Sequence, residues 1–126
     1  MLIRVLLFIA AILGGTSVAA GAFASHALKE KLPERSLEIF ETAARYQMYH
    51  ALALLLVVLL LSRAEAAASL LTATGIAFIV GVILFSGSLY ALSLSGIKIL
   101  GAVTPLGGLA FLVGWGCLAI AAWGFK

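Results

Sequence analysis

Aspartate and asparagine do not occur in this 126-residue chain, and charged residues of all kinds make up only 10% of it. Without aspartate, no Ser-His-Asp triad can be assembled. The single cysteine, Cys117, cannot form a disulfide within the chain. The two histidines lack the HxxxH and HExxH spacings of metal sites on helices. The sequence therefore predicts no catalytic residue, no metal and no cofactor.

Hydrophobic residues are what the chain has in excess, at 64% with a mean hydropathy of +1.23. Soluble domains are only about 45–50% apolar, and a small fold cannot bury such a surplus in its own core. A lipid bilayer is the solvent that accommodates it. The stretches free of charge are 5–28, 46–62, 66–97 and 99–125.

These stretches predict an all-α fold, since a bilayer core of about 30 Å requires about 20 helical residues. We expect a four-helix transmembrane bundle that forms a single domain over residues 1–126. The predicted helices cover about residues 2–27, 46–62, 63–95 and 104–125. The amino terminus also resembles a secretory signal peptide, but its apolar stretch is long enough to span, so we expect it to be retained.

A polar segment at about residues 33–45 separates the first two predicted helices. Glu34, Glu38, Glu41 and Arg45 recur at spacings of four, three and four, which places them on one stripe of a helix. This pattern indicates an amphipathic helix at the membrane interface, either continuous with the second helix or bent near Tyr46. Glu41 and Arg45 are spaced for an ion pair.

Three local signals predict where helices begin and end. Residues 62–65 read S-x-x-E, a capping box that would start the third helix. Gly96 suits a left-handed residue that closes a helix. Thr104 followed by Pro105 predicts an N-cap and a first helical position.

Small and weakly polar residues recur on the predicted helices. In lipid, helices associate through close backbone approach and hydrogen bonds rather than through apolar burial. The residues expected to serve helix packing are Gly15, Gly21, Ser86, Gly87, Ser88, Tyr90, Gly107 and Gly108.

A polar cluster is expected where the hairpin between the first two helices would bring two histidines to one membrane face. Its members are His26, Glu41, Arg45, Tyr46, Gln47, Tyr49 and His50. One interpretation is that these residues only anchor helix ends. The others are binding of headgroups or small anions, with arginine on a phosphate, and a metal or catalytic site.

The leading functional hypothesis is a non-enzymatic membrane protein that binds lipid headgroups or a membrane partner through this cluster. The first alternative is a small transporter or channel, although no charge is predicted deep in the membrane, where carriers usually keep one. The second alternative is a membrane enzyme that uses His26 and His50. We expect membrane lipids as partners and self-association as a further property. The net charge of +3 comes from scattered basic residues, which argues against nucleic acid.

Basic residues also bear on orientation, because they favour the cytoplasmic side. Five lie on the side of segment 28–45 and three on the side of both termini, so the sequence favours a cytoplasmic 28–45 segment. The five on the side of segment 28–45 are Lys29, Lys31, Arg35, Arg45 and Lys98, and the three on the side of the termini are Arg4, Arg63 and Lys126.

Four motifs in order closely resemble the YgdD/YwdK-like family of small bacterial inner-membrane proteins, a domain of unknown function. They are GAFASHALKEKL (21–32), FETAARYQMYHALALLL (40–56), FSGSLYALSLSG (85–96) and LGAVTPLGGLAFLVGW (100–115). The chain departs from the family pattern at Ser25, where a glycine is usual. The resemblance implies four transmembrane helices in a bacterial cytoplasmic membrane. It implies no activity, substrate or catalytic residue.

Overall fold

A computed structural model describes residues 1–64 and 66–125. Four helical spans in this part of the chain are long and apolar enough to cross a membrane, as judged by length and composition. The first is Leu2–Leu28, the second Glu34–Leu61, the third Ala68–Ser95 and the fourth Lys98–Gly124. The prediction of an all-α bundle with four transmembrane helices is confirmed.

Three of the spans combine different helix types. The first is an α-helix that ends in a π-helical turn, and the third has a π-helical turn between two α-helices. The fourth has 3₁₀ turns at both ends. The segments are Leu2–Phe23 (α) and Ala24–Leu28 (π); Ala68–Gly81 (α), Val82–Ser86 (π) and Gly87–Ser95 (α); Lys98–Ala102 (3₁₀), Thr104–Ala121 (α) and Ala122–Gly124 (3₁₀).

The second span is one unbroken α-helix, Glu34–Leu61, so the polar segment at 33–45 and the predicted helix at 46–62 belong to one rod. Pro33 precedes it in an extended conformation, with φ −56° and ψ 152°. No glycine or proline follows within the helix, so nothing bends it near Tyr46. The continuous alternative is the one the structure adopts, whereas an interfacial position for residues 33–45 stays a prediction.

The local end signals have different outcomes. Gly96 is left-handed, with φ +71°, and closes the third span as predicted. The capping box at residues 62–65 includes Glu65, which lies outside the described residues. The third span begins at Ala68 rather than 63, and the Ser62 hydroxyl donates to the Leu59 carbonyl of its own helix at 2.6 Å.

The predicted N-cap role of Thr104 is wrong. The α-helix already includes Thr104, with Val103 at the N-cap position and no side-chain cap, while Pro105 lies in the first turn as expected. The Thr104 hydroxyl instead lies 2.6 Å from the Ser88 hydroxyl of the third span. In lipid, this bond links two helices, whereas a cap would have served only one.

The second span is the central helix of the bundle. It packs against the first and third spans, and the third packs along the fourth. In the apolar stretch of the second span 44% is buried, whereas in that of the first span only 17% is buried. The second span therefore fixes the positions of its neighbours, and its own orientation decides which residues face lipid.

Glycines and phenylalanines interlock where the third and fourth spans meet. A Cβ added at Gly114 would lie 2.6 Å from the Phe78 ring, and one added at Gly81 would overlap the Phe111 ring. Each ring thus packs against a glycine of the opposite helix. At Gly107 the added Cβ would meet backbone, 2.7 Å from Cα of Phe85. Such close approach is how helices gain dispersion energy in lipid.

The glycines expected to serve packing are not placed alike. Gly107 lies at the closest helix contact, whereas a Cβ at Gly15, Gly21, Gly87 or Gly108 would meet nothing within 4 Å. These four glycines face open space beside the described chain.

Replacing Gly107 by alanine should destabilise the bundle, because its Cβ would collide with backbone that cannot rotate away. We expect a loss of about 1–3 kcal/mol, the usual size of an overpacking defect. The measurement is thermal unfolding in detergent. Gly108→Ala is the matched control: it makes the same chemical change one residue later in open space, so an equal loss in both variants would contradict this packing.

Candidate functional site

Gln47 of the second span is only 5% exposed, and its side-chain amide bonds to the first and third spans. Its Nε2 donates to the Leu13 carbonyl at 2.9 Å and to the Thr16 hydroxyl at 2.7 Å, both on the first span. Its Oε1 accepts from the Tyr90 hydroxyl of the third span at 2.7 Å. The Thr16 hydroxyl in turn donates a hydrogen bond to the Ile12 carbonyl at 2.7 Å. Both amide donors and the amide oxygen are therefore satisfied inside the bundle.

Two buried serines reinforce this layer from either side of the second span. Ser17 of the first span donates to the Ala44 carbonyl at 2.6 Å, and Ser86 of the third donates to the Ala43 carbonyl at 2.8 Å. Across the described residues, no buried side-chain nitrogen or oxygen lacks a hydrogen-bond partner. The polar atoms at this depth hold helices together, because each unsatisfied one would cost several kcal/mol in lipid.

His50 lies one turn below Gln47, and both of its ring nitrogens are engaged. Its Nδ1 lies 2.8 Å from the Tyr46 carbonyl, and its Nε2 lies 3.1 Å from the indole nitrogen of Trp115. A carbonyl can only accept and an indole N–H can only donate, so the proton is on Nδ1 and Nε2 is the acceptor. The imidazole is neutral, with no free lone pair for a metal in this arrangement.

Aromatic rings enclose that imidazole. It stacks on Phe111 with centroids 3.6 Å apart and planes within 7°, and it meets the edge of Phe78 at 5.2 Å. Only 4% of His50 is exposed. His50 therefore connects the second span to the fourth from inside the bundle.

The structure does not bring His26 and His50 together. His26 is exposed in the π-helical turn that ends the first span, next to the hairpin. The second span begins at Glu34, so His50 lies about 24 Å farther along its axis, at about 1.5 Å per residue. Sequence reasoning began this helix at 46 and so placed His50 at the margin. A site that uses both histidines is not formed.

The exposed members of the expected cluster lie on the opposite face of the second span. Arg45 and Tyr49 follow one another by one turn, and both are exposed. Below them, exposed leucines continue the same stripe at spacings of three, four and three. They are Leu52, Leu56 and Leu59. This face is an apolar surface with a cation near one end.

Arg45 is the last charged residue of the second span, and the uncharged stretch 46–61 follows it directly. Counted back from Leu61, the ~20 residues that cross the hydrocarbon reach Thr42, which puts Arg45 about one turn inside the margin. Side chains on a helix lean toward its N-terminus, so the guanidinium points back toward that margin. Arg45 makes no ion pair or side-chain hydrogen bond with any residue in the described ranges.

Glu41, one turn above Arg45, is half-buried and also unpaired within the described ranges. The ion pair expected between Glu41 and Arg45 is not formed. The pair that does form there joins Arg35 and Glu38 at 3.3 Å, on the water side of the margin. Among the described residues, the two charges of this stripe that are nearest the uncharged stretch 46–61 therefore have no ion-pair partner.

The two tyrosines at this depth pack on each other, with ring centroids 5.5 Å apart. Tyr46 also contacts the Phe85 ring at 4.8 Å, which fixes it against the third span. Tyr49 is 50% exposed and extends toward lipid. Both sit where an aromatic belt is expected, with an apolar ring and a polar tip.

Sequence reasoning missed the partners of His50. Trp115 and Phe111 were not assigned to the cluster, because they lie on the fourth span and 61 or more positions away in the sequence. The available signal was the tryptophan itself: an indole N–H in the middle of an apolar helix needs an acceptor, and His50 supplies one.

Residues 20–108 match the model of a family described as "Protein of unknown function (DUF423)". The chain is 43% identical to the UPF0382 membrane protein YwdK of Bacillus subtilis over 119 residues, which cover 94% of this chain and 96% of the relative. It is 39% identical to a UPF0382 membrane protein of Staphylococcus epidermidis, with 94% of each chain covered. For one from Haemophilus influenzae the identity is 38%, with 95% of this chain and 94% of the relative covered. No solved structure matches the chain.

The bond between Gln47 and Tyr90 should couple the two residues energetically. Gln47→Met and Tyr90→Phe should each lower the stability, and the double variant should lose less than the two losses added. The shortfall should be about 0.6–1.7 kcal/mol, the size measured for hydrogen bonds between membrane helices. Unfolding of the four proteins in one detergent gives the coupling. Strict additivity would mean that the two groups do not bond.

Trp115→Phe should destabilise the protein by about 1 kcal/mol, because it removes the donor to His50 and leaves a buried acceptor unpaired. Trp123→Phe is the control, since Trp123 is 91% exposed and makes no side-chain hydrogen bond with the described residues. Both variants are compared by thermal unfolding. If the two behave alike, the indole of Trp115 does not hold His50.

Proposed function

The chain belongs to the DUF423 family, and from the geometry of its second span we propose that it binds a phospholipid headgroup at the exposed Arg45 face. We define the Arg45 face as Arg45 and Tyr49 with the exposed Leu52, Leu56 and Leu59 below them. The membership confirms the family resemblance drawn from the four sequence motifs. The protein is a membrane protein with four candidate spans in its described part, and its relatives are named only as membrane proteins.

The single observation that carries the proposal is a cation without a protein partner inside an apolar, exposed helix face. A charge at the centre of a membrane helix costs at least about 2.5–3.5 kcal/mol on insertion scales. Near the margin that cost falls, because a long side chain can reach the headgroups. A lipid phosphate at this depth would supply the counter-ion that the described residues do not.

The rest of the Arg45 face fits a whole phospholipid. Tyr49 follows Arg45 by one helical turn, so its hydroxyl would meet the glycerol and its esters. Leu52, Leu56 and Leu59 then continue along the helix as an apolar track for an acyl chain. A guanidinium is suited to phosphate, because its N–H donors match the phosphate oxygens in pairs.

The proposed site includes Arg45 and Tyr49, the exposed residues of the expected cluster on this face, but not the buried Gln47 and His50. Gln47 and His50 are occupied by bonds to neighbouring spans and do not face lipid. His26 faces outward on the first span, about 13 Å beyond the level of Ser17 and therefore on the headgroup side of it.

Arg45→Gln should weaken phospholipid binding about tenfold, the loss expected when one hydrogen bond to a charged group is removed. The measurement is the fraction of protein that keeps a lipid in native mass spectrometry, titrated with phosphatidylglycerol in mild detergent. Arg35→Gln is the control, because it removes the same charge from the same helix on the water side. Equal retention by both variants and the unchanged protein would reject the proposal.

A further inference from the structure

We infer that the Arg45 face prefers a headgroup that carries an ammonium outside its phosphate, which is the chemistry of phosphatidylethanolamine. This inference rests on the proposed function and names the class of lipid. It is carried by Glu41 and Arg45, which occupy successive turns of one helix face and do not pair with each other among the described residues.

The two charges lie in a fixed order along the membrane normal. If about 20 residues counted back from Leu61 cross the hydrocarbon, Arg45 lies about one turn inside its margin and Glu41 lies at its outer edge. A phospholipid has its phosphate nearer the acyl chains and its ammonium farther out. The inner cation and the outer carboxylate of the protein therefore meet lipid groups of opposite charge.

The spacing also matches. Side chains at i and i+4 stand about 5–6 Å apart on a helix, and a two-carbon ethanolamine arm separates phosphate from ammonium by a comparable distance. One headgroup can thus occupy the gap between Glu41 and Arg45. This arrangement gives each charge a partner without the direct ion pair.

The acidic stripe above Arg45 works against other headgroups. Glu34, Glu38 and Glu41 share the Arg45 stripe, and they disfavour a headgroup with a net negative charge. Phosphatidylglycerol has a phosphate but no ammonium to offset these carboxylates. Phosphatidylcholine has the cation but no N–H to donate, so Glu41 could attract it without forming a charge-assisted hydrogen bond.

The experiment is competition among lipids for the intact protein. Equimolar phosphatidylethanolamine, phosphatidylglycerol and phosphatidylcholine with identical acyl chains are added in mild detergent, and each adduct is quantified by native mass spectrometry. We expect about fivefold to tenfold more ethanolamine than choline adduct, the effect of one hydrogen bond to a charged group. Glu41→Gln should remove this preference, and Glu38→Gln, whose carboxylate is paired with Arg35, should keep it.

A second series uses the unchanged protein, so it does not depend on any variant folding. Mono- and dimethylated phosphatidylethanolamine remove N–H donors one at a time, and adduct yield should fall stepwise toward that of choline. Retention of phosphatidylglycerol at or above phosphatidylethanolamine, while Arg45→Gln lowers all lipids, would overturn the ethanolamine preference and leave headgroup binding intact. Unchanged retention of all three lipids by Arg45→Gln would overturn both.

Discussion

The amide of Gln47 fixes the orientation of the central helix, and the remaining features of the bundle depend on it. In hydrocarbon no water can satisfy a primary amide, so its donors and acceptor must find partners on neighbouring helices. They find them on the first and third spans, and serines from the same two spans bond carbonyls three and four positions earlier in the second. On a helix, residues two positions apart point about 200° away from each other. With Gln47 turned inward, Arg45 and Tyr49 must therefore face lipid.

The same constraint places His50 inside. It follows Gln47 by three positions and lies on the same inner face, where the fourth span supplies the Trp115 donor and the Phe111 ring. The second span thus binds the first and third spans through the Gln47 amide and the fourth span through the His50 imidazole. Residues that look alike in the sequence, clustered within RYQMYH, divide into an inward set that joins helices and an outward set that meets lipid.

The number of spans could be predicted from the sequence because charge is excluded from the centre of the hydrocarbon whatever the packing. The stripe of Glu34, Glu38, Glu41 and Arg45 could also be read from its spacing. The depth of each residue could not, since that depends on where the second helix begins, and Glu34 rather than 46 is its start. Nor could Gly107 be separated from Gly108, because the fourth span is apolar on all sides and no pattern marks the face that meets the third. The sequence predicted that the Thr104 hydroxyl would cap its own helix. It bonds Ser88 instead, because the close contact between the third and fourth spans brings that hydroxyl within reach.

An arginine is tolerated at position 45 for a directional reason. The helix runs from the Glu34 margin toward Leu61, and its side chains lean back toward Glu34, so the guanidinium extends toward the nearer headgroups. An arginine one turn from the other end of the same helix would lean into the hydrocarbon instead. Arg63 on that side lies beyond the last helical residue, outside the rod. Arg4, near the start of the first span, likewise leans back toward its own end of the helix. Helix geometry thus lets both arginines within the apolar spans reach toward a polar margin. The proposed headgroup binding depends on this outward reach of Arg45 and on its lack of an ion-pair partner among the described residues.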